Sequence, residues 1–139
     1  VPVPVRPRIT IPSSYYTVIT QVPFTLDRPQ GAYIVVVADG GVFTYDTTFH
    51  GSLGGISIGT SIIDATWTPS GNGYWLLGAD GGVFSFGDAT YKGGFNTLPL
   101  SVKGNRKPIG IVAEGSGYKI LTIQPSNDGS PFDAYGFGV

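Results

Sequence analysis

Apolar residues in this chain fall in short runs separated by glycine-rich turns, a spacing that fits β-strands and leaves little room for helices. Tyr74-Trp75-Leu76-Leu77 and Val83-Phe84-Ser85-Phe86 flank Asp80-Gly81-Gly82, and Ile34-Val35-Val36 and Val42-Phe43-Thr44-Tyr45 flank Asp39-Gly40-Gly41. An Asp-Gly pair between such runs predicts a tight hairpin, because primed turns need positive φ, which glycine adopts without steric penalty. A two-residue loop, whether Asp80-Gly81 or Gly81-Gly82, sets a pairing parity that places Trp75, Leu77, Phe84 and Phe86 on one face. The same parity groups Ile34, Val36, Phe43 and Tyr45, with Phe43/Phe84 and Tyr45/Phe86 expected to enter one core. Ser61–Trp67 reads as a further strand ended by the Pro69-Ser70-Gly71-Asn72-Gly73 turn, and a weaker fourth strand fits Tyr91–Phe95. No stretch holds a 3.6-residue period, and 22 Gly with 11 Pro interrupt helices.

The pattern repeats. Ala38-Asp39-Gly40-Gly41-Val42-Phe43 returns 41 positions later as Ala79-Asp80-Gly81-Gly82-Val83-Phe84. Upstream, Tyr33 aligns with Tyr74; downstream, after a one-residue slip, Phe49-His50-Gly51 aligns with Tyr91-Lys92-Gly93. A decayed third copy runs from Pro108-Ile109-Gly110-Ile111-Val112 through Gly117-Tyr118-Lys119-Ile120-Leu121. Its Phe132-Asp133-Ala134-Tyr135-Gly136 reads as an echo of the segment from Phe86 to Tyr91. Three units follow, about 21–62, 63–107 and 108–139, forming a β-repeat domain over 21–139 behind an extended arm over 1–20. Four short strands in about 42 residues is the size of a propeller blade. The expected fold class is therefore all-β, with propeller-blade-like antiparallel repeats and an extended N-terminal arm.

The stretch Gly73-Tyr74-Trp75-Leu76-Leu77-Gly78-Ala79-Asp80-Gly81-Gly82-Val83-Phe84-Ser85-Phe86-Gly87-Asp88-Ala89 resembles a repeat found in secreted and surface proteins of actinomycete-type bacteria and their phages. The resemblance implies a propeller-like array and an extracellular or particle setting; it supplies no catalytic residue. The first copy departs from it at Tyr45-Asp46-Thr47, where the Gly-Asp-Ala element is missing, so Asp88 gains no ligand role from the likeness. Rings of blades close with four or more. Three units therefore imply association with copies of the chain, docking on another protein, or an unclosed layered domain.

Composition fits an assembled protein. Charged residues are 12% of the chain, about half the usual share, while hydrophobic residues reach 41% with a mean hydropathy of +0.15. Eight Phe, eight Tyr and two Trp accompany this low charge, so much of the surface is expected to meet protein or glycan. A formal net charge of −1 gives no sign of a nucleic-acid or anionic-membrane partner. Without cysteine, disulfides and thiolate metal sites are excluded. No apolar run is long enough for a transmembrane helix. The absence of methionine, with Val1 first, points to a processed terminus or a non-AUG start.

The arm alternates proline with β-branched residues from Val1 to Pro12, which imposes an extended, polyproline-like path. Val1, Pro2, Val3, Pro4, Arg6 and Arg8 are its candidate docking residues, the two arginines suiting an acidic partner surface. The simpler alternative is that Ser14–Val22 adds a strand to the chain's own sheet.

Catalytic chemistry finds little support. The single histidine, His50, aligns with Lys92, and the single glutamate, Glu114, sits beside a Gly-Ser-Gly turn, whereas glycoside hydrolysis needs two opposed carboxylates. Asp39 and Asp80 are explained by turn chemistry, and Asp64 and Asp88 have no partner legible in the sequence. No enzymatic activity and no cofactor or metal are expected. Trp67, Tyr74 and Tyr91 are the candidate rings for stacking on a sugar, against a plain packing role. Lys103, Arg106 and Lys107 form a basic loop between units. The combined reading is a structural or interaction protein on a phage virion, capsid-decorating or tail-associated, whose partners are other virion proteins or its own copies. The alternative is a secreted or wall-associated module that binds host surface glycan.

Overall fold

The computed structural model describes residues 24–27, 33–124 and 133–139. These form three antiparallel sheets of three strands each, joined in chain order, with almost no helix. Sheet 1 holds β1 (Phe24–Asp27), β2 (Tyr33–Val36) and β3 (Val42–Tyr45). Sheet 2 holds β4 (Ile62–Trp67), β5 (Gly73–Gly78) and β6 (Val83–Gly87), and sheet 3 holds β7 (Lys107–Glu114), β8 (Gly117–Ile123) and β9 (Asp133–Phe137). The expected all-β class is therefore observed, and none of the sheets is closed on itself. Residues 1–20, and with them the docking-arm reading, lie outside the described residues.

Both hairpins are antiparallel and share one turn. In each, a backbone amide two residues past the aspartate donates to Asp Oδ1 at 2.8 Å: Gly41 to Asp39, Gly82 to Asp80. Gly40 and Gly81, which follow those aspartates, both have φ of +89°. The loop is longer than expected, however. Gly78 N donates to Gly82 O and Gly81 N to Gly78 O, so three residues, Ala79 to Gly81, lie outside the ladder. A three-residue loop, a turn followed by a left-handed glycine, changes the parity of the pairing relative to a two-residue one.

This reverses the predicted faces. Tyr74 pairs with Phe86 and Leu76 with Phe84, so those four share one side of sheet 2, while Trp75, Leu77, Val83 and Ser85 share the other. In sheet 1, Ile34, Val36, Val42 and Thr44 lie together, opposite Tyr33, Val35, Phe43 and Tyr45. Phe84 and Phe86 consequently pack toward sheet 1, whereas Phe43 and Tyr45 point away from that core.

Two further expectations are corrected. Tyr91–Phe95 is not a strand; the link from sheet 2 to sheet 3 carries a single 3₁₀ turn (Phe95–Thr97) and one helical turn, α1 (Leu100–Lys103). Phe95 N is drawn instead to Gly81 O, at 2.9 Å, and its ring is buried. The third copy aligns differently at its end. Tyr118 pairs with Phe137 and Ile120 with Tyr135, as Tyr74 pairs with Phe86 and Leu76 with Phe84. Tyr135-Gly136-Phe137-Gly138 thus corresponds to Phe84-Ser85-Phe86-Gly87, and Asp46, Gly87 and Gly138, at or just past the end of each sheet's third strand, all have positive φ.

The sheets stack face to face. Each has a leading face, turned toward the preceding sheet, and a trailing face, turned toward the next. Ile34, Val36 and Val42 of sheet 1 pack against Tyr74, Leu76, Ile62 and Ala65 of sheet 2. Trp75, Leu77 and Val83 of sheet 2 pack against Ile111, Tyr118 and Ile120 of sheet 3, with Phe95. Strand β5 therefore has apolar cover on both sides, and all six of its residues are buried. That explains its unbroken Tyr-Trp-Leu-Leu run, since a strand with one wet face would alternate. Register shifts recur at equivalent places, between Ile62 and Asp64 and between Pro108 and Gly110.

A Cβ on Gly81 would lie 2.8 Å from Phe95 Cβ and 2.9 Å from Asn96 N, on top of the left-handed backbone. Gly81→Val should lower stability by about 1–3 kcal/mol in chemical denaturation. Gly82→Val, where φ is ordinary and the nearest contact is the Asp80 carboxylate at 3.1 Å, should lose less. Equal losses at the two positions would contradict the turn described here.

Candidate interaction surface

The joints between sheets are built on tyrosine. Tyr74, at the start of β5, accepts a hydrogen bond from His50 N at 3.1 Å and donates to Gly51 O at 2.6 Å. Tyr118, at the equivalent place in β8, accepts from Lys92 N at 2.9 Å and donates to Gly93 O at 2.5 Å. One hydroxyl thus satisfies a donor and an acceptor in the loop that follows the preceding sheet, which a buried phenol must do or else carry a desolvation penalty. Burial pushes both tyrosine hydroxyls above their usual range, partly offset by these backbone hydrogen bonds. They stay protonated, as donation requires.

Glycine in the receiving loop makes room. A Cβ on Gly51 would fall 2.5 Å from the Phe86 ring, and one on Gly93 3.1 Å from the Phe137 ring. The two aromatic neighbours are themselves equivalent residues of consecutive sheets. Tyr74 also has Trp67 edge-on at a centroid distance of 5.6 Å and His50 at 5.8 Å.

These contacts locate the candidate ligand-stacking rings. Tyr74 has no exposed surface, so its ring offers no face to a sugar. Trp67 is half-buried on β4 against Tyr74. Tyr91 is 52% exposed, and Phe49, its counterpart in the first copy, is 54% exposed. The chain thus presents an aromatic side chain outward at the same point after two successive sheets.

Asp88, Asp64 and Glu114 are engaged structurally. Asp88 accepts from Thr68 Oγ1 at 2.7 Å and from Ser70 Oγ, hydrogen bonds that hold its carboxyl below the usual range and tie the β4–β5 turn to the end of β6. Asp64 Oδ2 accepts from Ile111 N at 2.8 Å, joining sheet 2 to sheet 3. Burial raises its carboxyl above the usual range despite that bond. Glu114 pairs with Lys119 at 2.7 Å, and in the basic loop Arg106 pairs with Asp133 while Lys103 Nζ donates to Asn96 O. His50 is part-buried, and its Nε2 has no hydrogen-bond partner among the described residues. No group of three His, Asp or Glu side chains arranged to hold a metal occurs among the described residues. A surface depression of about 380 Å³ lies between Ala38-Asp39 and residues 55–61, lined by hydroxyls and aliphatic side chains. No helix among the described residues is long and apolar enough to cross a membrane.

No known protein family, no curated protein and no solved structure matches this chain.

Two predictions test the joints. Tyr118→Phe strands the Lys92 amide and the Gly93 carbonyl, and should lower stability by about 1–3 kcal/mol in urea titration; Tyr74→Phe should do the same through His50 and Gly51. No change in either variant would remove the hydroxyl from the account of the joint. The second concerns pH. Because the Asp64 carboxyl is raised in the fold, the folded chain binds that proton more tightly than the unfolded chain does. The resulting stability is complete below the ordinary aspartate range and is lost as pH rises through the raised value. Asp64→Asn keeps an acceptor for Ile111 and should flatten that dependence. Asp64→Ala leaves the buried amide unpaired and should lower stability by about 1–3 kcal/mol across the range.

Proposed function

We propose that this chain is a non-enzymatic structural protein of a phage virion, capsid-decorating or tail-associated, fastened by its N-terminal arm. In this reading its three sheets are propeller-like repeats that act as a rigid body for contact with other virion proteins or with copies of the chain. The observation that carries the assembly reading is the surface. Ten large hydrophobic side chains are exposed among the described residues, in a chain with 12% charge. These are the side chains a partner surface would cover in this reading. The Pro-rich arm, with Arg6 and Arg8, supplies a fastener by sequence, and the resemblance of residues 73–89 to phage and actinomycete surface repeats supplies the setting.

A second reading, a secreted or wall-associated glycan-binding module, has one observation in its favour. Phe49 and Tyr91 are exposed aromatics at equivalent positions, and flat rings with an apolar face suit sugar stacking.

Deleting residues 1–12 should leave the circular dichroism of the β domain close to that of the full chain while removing the protein from purified particles. Truncated protein found on particles at full occupancy would reject the arm as fastener. Binding of the full chain to cell-wall glycan, abolished by Tyr91→Ala, would put the second reading first.

A further inference from the structure

Phe49 and Tyr91 are 54% and 52% exposed, yet each stands on backbone that the joints hold in place. Phe49 precedes His50 and Gly51, whose amide and carbonyl are bound by the Tyr74 hydroxyl. Tyr91 precedes Lys92 and Gly93, bound in the same way by Tyr118. On the other side of Tyr91, Trp75 Nε1 donates to Thr90 O at 3.0 Å. Each ring also has an exposed threonine directly before it, Thr48 or Thr90. Equivalent joints set the two Thr-aromatic pairs at equivalent points, so the step from sheet 1 to sheet 2 separates them. For sheets packed face to face that step is about 10 Å.

We infer that Phe49 and Tyr91, with Thr48 and Thr90, form a two-ring platform for a neutral β-1,4-linked glycan, stacking on every second pyranose. The inference rests on the glycan-binding reading and names its ligand class. A ring and a hydroxyl repeated at a fixed interval suit a ligand that is itself periodic. In a glycan joined through equatorial bonds, neighbouring pyranoses are turned over relative to each other. One sugar face therefore recurs at alternate residues, and two sugar lengths match the sheet step where a single length does not. An α-1,4-linked chain coils and does not keep one face in line. The apolar C–H face of a pyranose lies on the aromatic ring, and the threonine hydroxyl can both donate to and accept from the sugar's edge. Nucleic acid is also periodic and able to stack, but charge disfavours it. Asp46 and Asp88 are exposed three residues before Phe49 and Tyr91, and the exposed Lys92 beside Tyr91 has the part-buried His50 as its counterpart. Because the joints already fix the backbone, little ordering is needed on binding.

Titration calorimetry of the full chain with β-1,4-linked oligomers of glucose and of N-acetylglucosamine, two to six residues long, tests this. Maltohexaose and a thymidine oligonucleotide serve as comparators. Two stacked sugars with one between them need three residues, so affinity should rise about tenfold or more from dimer to trimer and then level off. Phe49→Ala and Tyr91→Ala should each bring the trimer down to the affinity of the dimer, while Tyr91→Phe keeps it. Both side chains are more than half exposed, so the urea midpoint of these variants should not move. Maltohexaose bound as tightly, no step at three residues, or binding indifferent to both alanine variants overturns the inference and leaves a glycan-binding module standing. No binding to any of these sugars overturns both, and binding of the oligonucleotide alone replaces sugar with nucleic acid. None of those outcomes alters the particle-incorporation test of the arm.

Discussion

A phenol hydroxyl that leaves water must find both a donor and an acceptor, and in this protein it finds them in the loop that follows the sheet before its own. Tyr74 and Tyr118 each reach back to a backbone amide and a carbonyl one unit earlier, fixing how consecutive sheets sit. The apolar faces supply most of the favourable free energy, since burying a side chain such as Leu76 or Leu77 stabilises by about 1.5–3 kcal/mol. Apolar contact is non-directional, however, and two greasy sheets slide. The hydroxyl removes that freedom, and the glycine at 51 or 93 lets the sheets come close enough for it to act. Position and adhesion thus come from different atoms of one residue type.

The hairpin strands were legible in the sequence, although the fourth strand expected over Tyr91–Phe95 is not present. The aromatic and β-branched runs, the Asp-Gly-Gly turns and the 41-residue period placed both hairpins, and turn chemistry asked for a positive φ at Gly81 or Gly82, which the structure places at Gly81. What failed was parity. A loop of two residues and a loop of three use the same Asp-Gly-Gly, and the difference of one residue sends Phe84 and Phe86 to the opposite face from Trp75 and Leu77. The unbroken Tyr-Trp-Leu-Leu run held the missing information, because a central strand apolar on both sides belongs to a sheet covered on both sides.

The joints were half visible. Tyr33, Tyr74 and the loop residues His50, Gly51, Lys92 and Gly93 stand out as repeat positions, yet a recurring tyrosine reads equally well as packing or as a sugar platform. Only the pairing of Tyr118 with Phe137 revealed where the third copy lies in register, since Tyr135-Gly136-Phe137 shares little identity with Phe84-Ser85-Phe86. Asp64 was invisible for another reason. Its partner is a backbone amide 47 positions away, and backbone groups leave no mark on a sequence.

The joints also run in one direction along the chain, and that has a consequence for biosynthesis. The loop at His50–Gly51 is closed by a side chain at position 74, and the loop at Lys92–Gly93 by one at position 118. On the ribosome, sheets 1 and 2 are therefore each finished by residues that have not yet been translated, and their apolar trailing faces stay open until those residues emerge. Order of synthesis and order of stacking coincide, so every addition covers the most recent exposed surface and none has to displace an earlier partner.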